Sequence, residues 1–193
     1  ESMSSLSKII LLSFCIRWSL VSALVNGPKK LHSVFTCTSK DCRSRGSLDT
    51  KQMFDDLTSN TAVDSRTTGC SSRCNCGPNI ETSAGKRYSD LTKASTAAAV
   101  LSIEFGLDIP DSVVDAYTEF QEGNRFLQSE NLDDAIAAFK RALDCQDLRL
   151  AQFSTCRETF QTTYIEAMTR KFLAIEVATA KKKFEEEQRE LHC

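Results

Sequence analysis

The sequence predicts an α+β protein, with a mixed unit of β-α-β-β-β-α order followed by an all-helical region. Three observations predict it. The chain has 193 residues, 41% of them hydrophobic, which suits a packed globular protein of one medium domain or two small ones. Short runs rich in β-formers alternate with amphipathic runs as far as Gly106. No proline follows Pro110 and no glycine follows Gly123, so residues 124–193 contain no strong breaker and should be helical.

In chain order, Leu31 to Thr36 reads as a strand running into Cys37. Ser47 can cap a helix through Phe54 and Leu57, with Met53 on its inner face. Thr61 to Asp64 is a second strand candidate. Asn79 to Thr82, the turn Ser83-Ala84-Gly85 and Lys86 to Leu91 read as a hairpin. Lys93 to Glu104 is an alanine-rich helix that Gly106 is placed to end. Leu107 to Pro110 is a linker, and Pro110 can open the next helix. This divides the chain into residues 31–106 and 111–190.

Residues 3–30 read as a targeting segment. Lys8 precedes two apolar runs, Ile9 to Ile16 and Trp18 to Val25. Val21 and Ala23 suit the −3 and −1 positions of a signal-peptidase site. Arg17 and the short length disfavour a spanning helix. Lys29 and Lys30, with no acid until Asp41, suit a following transit stretch and point to a plastid.

The nine cysteines are clustered, with five between Cys37 and Cys76. An odd, clustered set fits metal ligation better than a disulfide framework. Cys37 and Cys42 form a C-x4-C, and Cys70 and Cys74 a C-x3-C, each expected in a loop after a strand. Four soft thiolates suit a [2Fe–2S] cluster. Zinc is the runner-up, although its usual knuckles are closer to C-x2-C. Disulfides or redox thiols are the third reading, against which the chain has no C-x-x-C. Gly46, Gly69 and Gly77 would let backbone N–H groups approach the sulfurs. Lys40, Arg43, Arg45 and Arg73 would offset the charge of an anionic site. Cys145 and Cys156 read as buried helix residues, and Cys15 and Cys193 lie in the leader and at the terminus. His32 and His192 are the only histidines, too few for a histidine-based centre.

The run from Val34 to Ser47, with Cys37 and Cys42, resembles the first cysteine loop of thioredoxin-like [2Fe–2S] ferredoxins. The run Gly69-Cys70-Ser71-Ser72-Arg73-Cys74-Asn75-Cys76-Gly77-Pro78-Asn79-Ile80 resembles their second, in which C-x3-C is followed by Gly-Pro-Asn and a strand. The resemblance implies a thioredoxin-like fold and places the cluster ligands on Cys37, Cys42, Cys70 and Cys74. Cys76 departs from the family pattern. It could serve as an alternative ligand or in a disulfide, but four cysteines already suffice and a C-x-C with Cys74 would strain the loop. Members of this family in algae and plants are often plastid proteins with helical extensions, consistent with the leader.

The helical region resembles one tetratricopeptide repeat, with Gly123, Phe126, Ala135, Phe139 and Ala142 at its small and aromatic positions. The usual tryptophan and closing proline are missing. Asn131 can cap the second helix, with Asp133 and Asp134 in its first turn. Phe153, Cys156, Phe160, Tyr164, Met168 and Phe172 form a stripe predicting a long amphipathic helix that covers the pair. The region could dock a partner or simply pack on the first unit. Lys181 to Lys183 and Glu185 to Glu187 read as a charged, fraying tail.

The net charge of −2 argues against a general nucleic-acid binder. No acid–base pair, activated nucleophile or phosphate loop stands out, so a self-contained enzyme with a small-molecule substrate is not expected. The sequence predicts electron transfer or redox sensing by a [2Fe–2S] protein. Its partners would be a redox protein or the subunits of a membrane complex, possible hosts being thylakoid-associated photosynthetic assemblies. The alternative is a structural or assembly factor in which cluster or zinc only stabilises the fold.

Overall fold

The computed structural model describes residues 32–70, 72 and 74–191. The expected leader and Arg73 lie outside them. The protein is α+β, with a four-stranded mixed sheet and several helices. The elements are β1 (His32–Cys37), α1 (Lys40–Arg43), α2 (Ser47–Thr58), β2 (Val63–Thr68), a 3-10 turn at Cys74–Cys76, β3 (Asn79–Thr82) and β4 (Arg87–Ser89). Helices α3 (Ala94–Phe105), α4 (Asp111–Gln128), α5 (Leu132–Leu143) and α6 (Ser154–Leu191) follow.

The sheet order is β2-β1-β3-β4. Strands β1 and β2 are parallel, from His32 opposite Val63 to Cys37 opposite Thr68. A parallel pair needs a crossover, and α2 supplies it. Strand β3 runs antiparallel to β1, with Thr36 opposite Ile80, and β4 completes the hairpin. Gly85 takes a φ of 78°, which its missing Cβ permits, and its N–H closes the hairpin turn on the Thr82 carbonyl at 2.8 Å.

Several boundaries differ from expectation for local reasons. Helix α2 is capped by Gly46 at a φ of 86°, not by Ser47, which is its first residue. The expected second strand starts late. Thr61 instead closes the end of α2, its N–H and hydroxyl both bonded to the Thr58 carbonyl, and the strand runs through polar residues to Thr68. Strand β4 stops at Ser89 because Asp90 turns into left-handed backbone, with a φ of 58°. Gly106 ends α3 at a φ of 64°, as its position predicts.

Buried side chains of the sheet unit and of the helical region form one apolar cluster. Val34, Val63 and Ile80 of the sheet, with Met53, Phe54 and Leu57 of α2, continue through Leu101 into Tyr117, Phe120, Phe139 and Phe160. The Phe120 and Phe160 rings stack at 4.2 Å between centroids. A buried carboxylate bridges the two regions. Asp56 of α2 accepts hydrogen bonds from Tyr117 of α4 at 2.8 Å, Thr159 of α6 at 2.9 Å and Gln52 at 2.9 Å.

Helices α4 and α5 pack closely because Gly123 offers no side chain. A Cβ there would lie 2.5 Å from the Phe139 ring. Asn131 caps α5 by accepting from the Asp134 N–H, as expected. The stripe on α6 is buried for only part of its length. Phe153, just before α6, Cys156 and Phe160 are buried and Tyr164 is half-buried, whereas Met168 and Phe172 are 44% and 60% exposed. A run of four-residue steps drifts around the helix, so at this level Ala167 takes the buried face and Met168 turns outward, and past Lys171 the 38-residue α6 outruns the 12-residue α5. Lys171 pairs with Asp133 in the first turn of α5, where the contact ends.

Candidate metal centre

The register of the sheet gathers the central cysteines at one end. Cys37 closes β1 opposite Thr68, the last residue of β2, and Cys70 follows two residues later. The antiparallel pairing of β1 with β3 carries Asn79 to the level of Cys37. The loops 38–46 and 69–78 therefore emerge together. Helix α1, which carries Cys42, packs against the 3-10 turn that holds Cys74 and Cys76. Two of the expected loop positions are thus in regular structure: Cys37 is a strand residue and Cys42 a helical one.

Burial divides the set. Cys37 and Cys42 are each 1% exposed, whereas Cys70 and Cys76 are exposed. The side chain of Cys74 lies outside the described part of the structure. Among the described residues, no group of three or more His, Cys, Asp or Glu side chains stands close enough to hold a metal ion.

The surroundings of the sulfurs are rich in donors and tightly fitted. Asn79 Nδ2 donates to Cys42 Sγ at 3.7 Å. Ser39 Oγ lies 3.3 Å from Cys37 Sγ. Ser72 takes a φ of 60°, and its N–H donates to Cys70 Sγ at 3.4 Å. Gly77 is pressed against Cys42, and a Cβ on it would lie 3.0 Å from that sulfur. The Asp90 N–H fixes this loop by donating to the Cys76 carbonyl at 3.1 Å.

Of the three glycines expected near the sulfurs, only Gly77 serves there. Gly46 faces Asp49 in capping α2, and Gly69 has open space around it. Lys40, Arg43 and Arg45 are exposed around the loops, and Arg45 Cδ lies 3.6 Å from the position a Gly77 Cβ would take. His32 is at the far end of β1 against Phe105, at 5.7 Å between rings, and takes no part. Cys156 is buried in the core, where desolvation pushes its thiol well up, and Cys145 donates to the Ser112 carbonyl at 3.4 Å. Neither belongs to the cysteine cluster.

Asn79 and Ser39 are the residues that motif spacing alone passes over. The signal for Asn79 was its place directly after Gly77-Pro78, at the start of a strand that must run beside β1. Ser39 carried no signal beyond lying between two cysteines.

The loops that carry the two cysteine pairs emerge at one end of the sheet, with N–H donors aimed at Cys42 and Cys70 and a side-chain-free backbone over Cys42, surroundings of the kind that favour thiolate sulfur. No family model matches the chain, and no curated protein matches it.

Proposed function

We propose that the chain binds a [2Fe–2S] cluster on Cys37, Cys42, Cys70 and Cys74 and acts in one-electron transfer or redox sensing. The observation that carries this is the sheet register, which brings both cysteine pairs to the same end of the parallel strands. The order β2-β1-β3-β4, with one parallel and two antiparallel pairings, supports a thioredoxin-like frame for that site. The close fit of Gly123 on Phe139 supports a tetratricopeptide-like helix pair, which would hold the redox unit to a larger assembly. The expected leader would direct that assembly to a plastid.

When bound, such a cluster supplies a one-electron couple. The chain's own residues set how easily that electron is accepted. Asn79 and the Ser72 N–H donate to ligand sulfurs, which stabilises added negative charge there. Lys40, Arg43 and Arg45 add positive charge at the rim. Cys37 and Cys42 form the buried wall, and the Cys70 loop faces solvent, where a redox partner could approach.

The test is a pair of variants purified anaerobically. Cys70→Ala abolishes the visible charge-transfer colour, while Cys76→Ala leaves it. If both variants keep full colour, the ligand assignment is wrong. A colourless wild-type protein containing stoichiometric zinc overturns the redox function itself.

A further inference from the structure

The distal half of α6 is long, helical and covered by nothing else among the described residues. The Lys171–Asp133 ion pair stands where the exposed stretch begins, and residues 172–189 are all exposed. Beyond it about 20 residues project, ~30 Å at the helical rise. This segment carries an apolar seam. Leu173, Val177, Ala180 and Phe184 follow at steps of four, three and four, the spacing of a two-stranded coiled coil. Leu173, Val177 and Phe184 are 53%, 68% and 60% exposed. The next two seam positions are 187, a glutamate, and 191, a leucine.

The charges around this seam identify its occupant. Lys181, Lys182 and Lys183 precede Phe184, and Glu185, Glu186 and Glu187 follow it. The block is its own complement when reversed. Two copies laid antiparallel about a two-fold axis at Phe184 set the lysine turn of each beside the glutamate turn of the other, with Lys181, Lys183, Glu185 and Glu187 flanking the seam and Lys182 and Glu186 on the outer face. The same register sets Val177 level with position 191 and brings the two Phe184 rings together. A parallel pair would instead face lysine with lysine and glutamate with glutamate.

Competition from within the helix is weak. The internal Lys–Glu pairs are 3.8 to 3.9 Å apart, solvent-exposed and in the less favourable order. We infer that this segment of α6 pairs with the same segment of a second copy of the chain, antiparallel, through an isologous contact centred on Phe184. The overlap is short, so the association is concentration-dependent.

Sedimentation of the full chain tests this. The mass rises with concentration toward twice the chain's 21.5 kDa. The triple variant Lys181→Glu, Lys182→Glu, Lys183→Glu stays monomeric, and so does Glu185→Lys, Glu186→Lys, Glu187→Lys. An equal mixture of the two variants regains the doubled mass, because each supplies the charge the other lacks. A wild-type chain that stays monomeric at every concentration overturns the inference. So does a dimer that either variant leaves intact, which would place the contact elsewhere. Two monomeric variants that fail to recombine also overturn it, since charge reversal would then only have damaged the helix.

Discussion

Asn79 stands where the fold and the proposed chemistry meet. It opens β3, so its backbone is fixed by the hairpin, and its side-chain amide reaches Cys42 Sγ at 3.7 Å. An N–H directed at a ligand sulfur favours the more negative state of that ligand. Asn79→Ala removes the donor, and the protein's reduction potential, measured by redox titration of the visible spectrum, falls. An unchanged potential would mean that the amide has no bearing on the electron. The cysteine spacing was legible in the sequence because ligand chemistry is carried by residue type. The division into buried Cys37 and Cys42 and exposed Cys70 was not, since it depends on where β1 ends and on α1 folding back toward the 69–78 loop.

At the scale of elements, the helix pair α4–α5 rests on the absence of a side chain at Gly123. A methyl group there would enter the Phe139 ring, itself fully buried and tilted against Phe120. Gly123→Ala should therefore cost ~1–3 kcal/mol of stability through overpacking, despite the better helix propensity of alanine. Urea denaturation measures it, and a stabilised variant would show that the helices can simply part. This pairing was legible because small and aromatic positions recur at fixed spacing. The caps and the glycine stop of α3 were legible for a related reason, as both act through a single residue and its neighbours. The start of β2 and the end of β4 were not. Thr61 spends its hydrogen bonds on the end of α2, and Asp90 adopts a left-handed turn to hold the Cys76 carbonyl. Periodicity also ran the α6 stripe on to Met168 and Phe172, because steps of four drift off the buried face, which passes to Ala167, and because it does not register where α5 ends.

For the molecule as a whole, Asp56 ties the sheet unit to the helical region. Burial pushes its carboxyl above the ordinary value, against the hydrogen bonds from Tyr117, Gln52 and Thr159 and with a smaller upward push from Asp55. The folded chain therefore holds a proton that the unfolded chain releases. The resulting stability is complete below the ordinary carboxylate range and is lost as pH rises through the shifted value. Asp56→Asn keeps a group that can bond all three partners but does not ionise, so the slope of stability against pH flattens across that window. Asp56→Ala leaves buried donors unmatched and should cost ~1–3 kcal/mol or more. Thermal unfolding across an acidic pH series checks both, and an undiminished slope in Asp56→Asn would assign the dependence to other groups. Nothing in the sequence marked Asp56, because Tyr117 and Thr159, the two partners that tie it to the helical region, stand 61 and 103 residues away along the chain.

The central claim, a cluster held by two cysteine loops at one end of a mixed sheet, is tested most directly by elemental analysis of the anaerobically purified full chain. The account predicts iron and acid-labile sulfide in equal amounts, ~2 of each per chain. A protein that contains neither, or that carries zinc in their place, would contradict it.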